Sequence, residues 1–227
     1  MNSAKQMFWA GIRAEIPLLI GVLPFGLIYG ALATGAGLSA GEAQAMSTIL
    51  FAGSAQFITA EMVAHATPAM VMVLIIAVVN LRHLLYSASI APYVQNLPTR
   101  WKALLAYLLT DEAYATTILY YKQNGATPLG HWFFFGSGLA LWSTWQVSTA
   151  LGIFLGAAIP ESWSLDFALP VTFIAMLTPM LKGKPVIAAA LSAGITALVA
   201  YALPFKLGLI LAAVVGIGVG SLLEGGA

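Results

Sequence analysis

The stretch Asn80-Leu81-Arg82-His83 interrupts an apolar run that begins near Pro68 and resumes until about Tyr93. Water cannot reach an arginine at that depth unless the protein supplies a cavity or a partner. A charge at a bilayer centre costs from about 3 to over 10 kcal/mol, so an intramembrane Arg marks a functional site by default. Its counterpart is Thr110-Asp111-Glu112, in the middle of a segment from about Trp101 to Tyr121. At 1.5 Å per helical residue these acids lie about 15 Å from either interface, and they point about 100° apart around the helix. One acid can pair with Arg82 while the other faces different surroundings. Burial disfavours an ionised carboxylate, which makes the second acid a candidate proton carrier. An ion pair held purely for structure is the plainer alternative, and it leaves one acid unexplained.

Two further groups sit at comparable depth. Phe51-Ala52-Gly53-Ser54-Ala55-Gln56-Phe57 offers a hydroxyl and a two-way amide among small residues that let another backbone approach. Leu23-Pro24-Phe25-Gly26 interrupts an earlier run, and a proline there removes a backbone donor and predicts a kink. Backbone freed at such a kink survives in a bilayer only where protein or a water-filled cavity satisfies it. A kink used only for helix packing is the competing explanation.

The elements that must carry these residues are membrane helices. Charged residues make up 7% of the 227-residue chain and hydrophobic ones 60%, against about 25% charged in ordinary globular domains. Apolar stretches near the ~20 residues needed to cross a bilayer recur along nearly the whole length. The chain reads as an all-α polytopic membrane protein with six to eight membrane helices, forming one integral-membrane domain over 1–227. Strands of an outer-membrane barrel would be shorter and would alternate polar with apolar. A net charge of +1 gives no nucleic-acid signal, and there is no cysteine. No zinc-binding His-Glu-x-x-His pair occurs, and no metal, cofactor or catalytic residue is expected. Ser54 with His65 or His83 is the one hint of an intramembrane hydrolase; a passive channel for another small solute is a further alternative.

In order, residues 1–14 read as an amphipathic lead-in and 16–34 as the first span. Ala31-Leu32-Ala33 imitates a signal-cleavage site, but the run before it is long and broken by Pro17, Gly21, Pro24, Gly26 and Gly30. The second element covers about 44–64, the third about 68–93, the fourth about 101–121 and the fifth about 131–159. Trp142 and Trp145 lie inside the fifth and are expected to pack in its core, whereas Trp101, Trp132 and Trp163 lie at segment ends like interfacial belt residues. The last three cover about 165–181, 186–202 and 207–222. With every element crossing and the N-terminus inside, Lys5, Arg13, Lys122, Lys182 and Lys184 fall inside, and Arg100, Lys102 and Lys206 outside. If elements two and six are broken or re-entrant, Arg100 and Lys102 move inside and Lys122 moves out. Halves 16–97 and 131–203 then form an inverted repeat around 101–121, an arrangement common in secondary transporters. Both readings place the N-terminus in the cytoplasm by the positive-inside bias.

Pro24-Phe25-Gly26, the Phe-Ala-Gly-Ser-Ala-Gln-Phe run, Asn80 to His83 with Tyr86, and Thr110-Asp111-Glu112 occur together in one order and spacing. That set resembles the AzlC family, the large subunits of branched-chain amino-acid exporters. The resemblance extends over essentially the whole chain and is most specific in residues 16–121. It implies an inner-membrane permease that exports valine-like and methionine-like amino acids, and a separately encoded small membrane subunit of the AzlD type. A zwitterionic substrate needs donors for its carboxylate and acceptors for its ammonium. Arg82 or the backbone at Pro24, Phe25 and Gly26 would serve the first. Asp111 or Glu112, with Ser54, Gln56 and Asn80, would serve the second or carry a coupling proton.

Overall fold

A computed structural model describes residues 3–156, 181–203 and 207–224. The helices are α1 (Ala4–Gly35), α2 (Ala40–Leu50), α3 (Gly53–Ala64), α4 (Ala69–Val79), α5 (Leu81–Val94), α6 (Thr99–Tyr107), α7 (Asp111–Asn124), α8 (Gly130–Gly156), α9 (Lys184–Val199) and α10 (Leu207–Glu224). No strand occurs among the described residues, and the all-α class read from composition holds. The stretches Ala4–Gly35, Ala69–Val94 and Leu207–Glu224 are long and apolar enough to cross a membrane. The chain divides into two compact units, one of Met1–Ala64 and Val79–Trp163, the other of His65–Val78 and Ser164–Ala227. In the second unit α9 and α10 run antiparallel, with Gly208 on Ala200 and Gly216 on Ala189 and Ala193. Element six, expected over 165–181, lies outside the described residues except for its last position.

The first unit is built on α1 and α8. Ser3 starts α1 with a reciprocal capping box to Gln6, which satisfies two otherwise orphaned donors. The helix then runs unbroken through Pro17 and Pro24. Of the two readings of Leu23-Pro24-Phe25-Gly26, the break is therefore not present, and that stretch opens no helix end. Gly26 instead lets α1 approach α8, where a Cβ would strike the Ser148 side chain. The same holds along the seam: Gly136 lies on the Phe8 carbonyl and Gly152 on the Leu27 carbonyl. Small residues let two backbones touch, which is how helices pack when lipid is as apolar as their side chains. The glycines of element five thus serve close packing rather than bending.

Contacts rise together along the two helices, from Phe8 on Gly136 to Ala31 on Gly156, so α1 and α8 run in the same direction. An inverted pairing of 16–97 with 131–203 requires elements one and five to run in opposite directions.

Elements two, three and four are each interrupted. Element two breaks at Phe51–Ala52, between α2 and α3, with Phe51 in the left-handed region at φ 23°. Such a backbone costs a non-glycine residue about 1–3 kcal/mol. Element three is interrupted at Asn80, between α4 and α5. Element four is not the continuous crossing that its length suggests. Trp101 at the start of α6 packs on His131 and Trp132, while Leu108 beyond its end meets Gly138. After three non-helical residues α7 returns, with Tyr120 stacked on Phe133 and Tyr121 against Gly130. Both ends of 101–121 therefore lie at the N-terminal end of α8, and the element is a re-entrant hairpin.

This corrects both charge arrangements considered from sequence. Lys5, Arg13, Arg100, Lys102 and Lys122 all belong to the end of the unit where α1 and α8 begin, a stronger one-sided bias than either arrangement gave. Gly136→Val should lower stability by about 1–3 kcal/mol, because the Phe8 backbone cannot move aside as a flexible side chain would. Thermal melting of the detergent-solubilised protein would show it, while Gly21→Ala, with open space around it, should not lower the melting temperature.

Candidate functional site

Each interruption leaves helix ends inside the unit, and the first question is what satisfies them. The last carbonyls of α2 have no intrahelical partner. The Ser47 carbonyl accepts from Gln146 Nε2 at 3.1 Å, and the Thr48 carbonyl from the Tyr107 hydroxyl at 2.6 Å. Tyr107 is in turn fixed by Trp142 Nε1 at 2.8 Å. The amide of Gln44 donates to Gln146 Oε1 at 2.7 Å, and the Ser47 and Thr149 hydroxyls lie 3.0 Å apart. Thus α8 carries polar side chains because it supplies what the broken α2 lacks. Tyr107 ends α6, and its ring lies 5.9 Å from that of Phe51, so the two breaks meet.

Ser54, Arg82 and Asp111 stand at the helix starts beyond these breaks. Arg82, in the first turn of α5, donates from Nη2 to Ser54 Oγ at 2.6 Å. Its Nη1 lies 2.7 Å from Asp111 Oδ2, at the start of α7. Ser54 follows Gly53, which opens α3, and Gly53 packs against the Trp145 ring. Thus Arg82 ties together the ends of three separate helices, and Ser54, Arg82 and Asp111 are brought into direct contact. A pair in which each side chain is about a quarter exposed, at 28% and 27%, is neither a solvated surface bridge nor a dry interior one.

The remaining site residues take different places. Gln56 is fully buried and accepts from Trp145 Nε1 through Oε1 at 3.0 Å. Trp145 stacks against Tyr29, whose hydroxyl donates to the Ala43 carbonyl at 2.9 Å. Core packing, expected for Trp145, is what it does, while half-buried Trp142 acts mainly through its bond to Tyr107. Asn80 precedes α5, and its carbonyl accepts from His83 Nδ1 at 3.2 Å. Glu112 lies in the first turn of α7, where a helix N-terminus favours negative charge. It stands outside the Arg82–Asp111 ion pair, within electrostatic reach of Asp111, Arg82 and Glu15. Pro24 is exposed, Phe25 half-buried and Gly26 buried, all on the continuous α1; Gly26 is occupied by α8.

Five buried polar atoms of these and adjoining residues have no hydrogen-bond partner: Arg82 Nε, Gln56 Nε2, Asn80 Oδ1, Thr110 Oγ1 and Asp111 Oδ1. Two are donors and three can accept. Uncompensated burial of each such group costs about 1–3 kcal/mol. Ser54 is a poor nucleophile here, because its hydroxyl meets a guanidinium, which carries donors and no base. No group of three metal-ligating side chains occurs among the described residues.

Sequence reasoning passed over several of these residues. Glu15 falls between the lead-in of 1–14 and the first span of 16–34, yet it is fully buried in α1 and accepts from Ser137 Oγ at 2.5 Å. Tyr86 stacks on Tyr114 with centroids 4.4 Å apart, and Tyr93 on Tyr121 at 4.6 Å, so α5 and α7 run side by side in one direction. The seven-residue spacing of both tyrosine pairs was the available signal.

Interrupted helices whose ends meet at an ion pair, in an apolar all-α chain, fit a polytopic membrane protein. The chain belongs to the AzlC family: residues 17–159 match the model described as AzlC protein. Among similar proteins, an uncharacterized membrane protein of Archaeoglobus fulgidus is 32% identical over 219 residues, 94% of each chain. Inner membrane protein YgaZ of Escherichia coli is 28% identical over 183 residues, 78% of this chain and 74% of its own. The branched-chain amino acid transport protein AzlC of Bacillus subtilis is 30% identical over 179 residues, 77% of this chain and 69% of its own. No solved structure matches the chain.

The ion pair is open to a double-mutant cycle. Arg82→Met leaves Asp111 unpaired and should destabilise by about 1–3 kcal/mol, below the 3–5 of a fully buried pair because both groups are partly exposed. Adding Asp111→Leu should recover part of that loss in thermal melts; additive losses would mean the pair is not coupled.

Proposed function

We propose that this protein is the large subunit of a two-component permease that exports branched-chain amino acids, valine-like and methionine-like, across the bacterial inner membrane. Export is secondary-active and coupled to protons, with the N-terminus in the cytoplasm and a small AzlD-type membrane subunit as partner. The observation that carries this reading is the set of unpartnered donors and acceptors around the Arg82–Asp111 pair. A zwitterion presents a carboxylate and an ammonium on one carbon, and it needs both kinds of group close together. Arg82 Nε and the first N–H groups of α3 suit the carboxylate, since helix starts favour anions. Asp111 Oδ1, Asn80 Oδ1 and Thr110 Oγ1 suit the ammonium. Half-helix ends that meet a substrate near the bilayer midplane are a recurring device of secondary transporters.

Arg82 has two of its three nitrogens engaged by Ser54 and Asp111, so it organises the site first and offers the substrate its remaining edge. Glu112, outside the pair, is the coupling group. The name of the Bacillus subtilis relative supports the substrate class. The gathering of basic residues at one end of the first unit supports the orientation.

The test is valine counterflow in proteoliposomes with Arg82→Ala, Asp111→Asn and Glu112→Gln, each checked for folded yield. Arg82→Ala and Asp111→Asn should lose counterflow. Glu112→Gln should lose net transport driven by a pH gradient. Normal transport by all three folded variants would remove the site, and wild-type transport indifferent to an imposed pH gradient would remove the coupling. Uptake into inverted vesicles, with and without a co-expressed small subunit and across a panel of apolar amino acids, reads direction, partner and substrate together.

A further inference from the structure

The first unit buries a second carboxylate that the central site does not use. Glu15 has no exposed surface, although it lies on α1 two residues from exposed Arg13. Its Oε2 accepts from Ser137 Oγ of α8, and its Oε1 is buried with no partner. From α7 it is met by the Thr116 hydroxyl and, within electrostatic reach, by Glu112. No lysine or arginine is paired with it among the described residues. A carboxylate buried against neutral hydroxyls, with no cation paired to it among the described residues, lacks the compensation a permanent buried charge requires. Glu112 and Thr116 are one turn apart, so they share the face of α7 that Glu15 meets.

Position gives this group its meaning. Along α7 the order is Asp111 and Glu112 at the central layer, Thr116 beside Glu15, then Tyr120 and Tyr121 at the basic end. Glu15 stands between the Arg82 layer and the end of the unit where Lys5, Arg13, Arg100, Lys102 and Lys122 gather.

We propose that Glu15 is a proton-carrying residue in series with Glu112, joining the central site to the basic face of the unit. In the transfer, the O–H bond of the Glu112 acid breaks and an O–H bond forms on Glu15, leaving Glu112 ionised beside Arg82. The Ser137 and Thr116 hydroxyls hold the receiving carboxyl and bridge the gap. The proton then leaves Glu15 toward the basic face, and the central acid is free to be recharged from the opposite side. This role rests on the proton-coupled transport reading and extends it by one residue.

Glu15→Gln keeps the shape and the bond to Ser137 and removes the exchangeable acid. Two measurements on the full-length protein test it. The first is infrared difference spectroscopy on a pH change, with no substrate added. Wild type should show a carboxylic-acid carbonyl band that rises and falls with pH, lost in Glu15→Gln and displaced in Glu15→Asp. A band that does not titrate, or one unchanged by Glu15→Gln, overturns the proposal, since a merely structural acid would behave that way. The second is pH-gradient-driven valine flux in proteoliposomes, which Glu15→Gln should lose and Glu15→Asp should restore in part with a displaced pH profile. Wild-type flux from Glu15→Gln overturns the relay. A wild type that moves no amino acid removes the transport reading instead, and the infrared band still decides whether Glu15 takes up a proton.

Discussion

A peptide group that leaves a helix inside a bilayer must be met by another protein group or by water, because hydrocarbon offers it nothing. The rest of the first unit depends on that constraint. Breaking element two at Phe51 frees the carbonyls of Ser47 and Thr48, and the chain answers with Gln146 and Tyr107. Gln146 can reach them only because α8 lies close by, against an α1 seam lined with glycine. Tyr107 can reach them only because element four enters the unit and stops there rather than passing through. The polar content of α8, which dilutes its hydropathy, is the counterpart of irregular backbone elsewhere.

The same constraint explains why the ionic residues stand where they do. Helix starts offer N–H groups, and Asp111 and Glu112 occupy the start of α7 while Ser54 stands at that of α3. Arg82 then links α3, α5 and α7 through two short bonds. A single guanidinium adds α3 to a pair, α5 and α7, already aligned by the Tyr86–Tyr114 and Tyr93–Tyr121 stacks, and its planar fork suits it to two partners at once.

The charged core of the site was legible because a charge in an apolar run is costly wherever the chain folds. Arg82, Asp111 and Ser54 announce themselves by depth alone. The path of element four did not. Trp101–Tyr121 has the same length and hydropathy whether it crosses or turns back, and its break at Leu108, Leu109 and Thr110 contains neither proline nor glycine. Pro24 and Gly26 look like punctuation, yet α1 continues through them, and Gly26 serves the close approach to Ser148. Glu15 escaped notice because Lys5 and Arg13 nearby made it look solvated. Only the packing of α7 and α8 around it reveals burial.

The seam between α1 and α8 sets how this unit can deform. Backbone rests directly on backbone at Gly136 and Gly152, with no long side chain between the helices to change rotamer and absorb a slide. Two rods joined in that way behave as one stiff keel. The hairpin of α6 and α7 and the broken α2–α3 element are held to each other near their tips by the Tyr107 hydroxyl, the Phe51–Tyr107 ring contact and the Arg82 bridge. Displacement is therefore cheapest at those tips, where a small set of polar and ring contacts can be exchanged while the keel stays still.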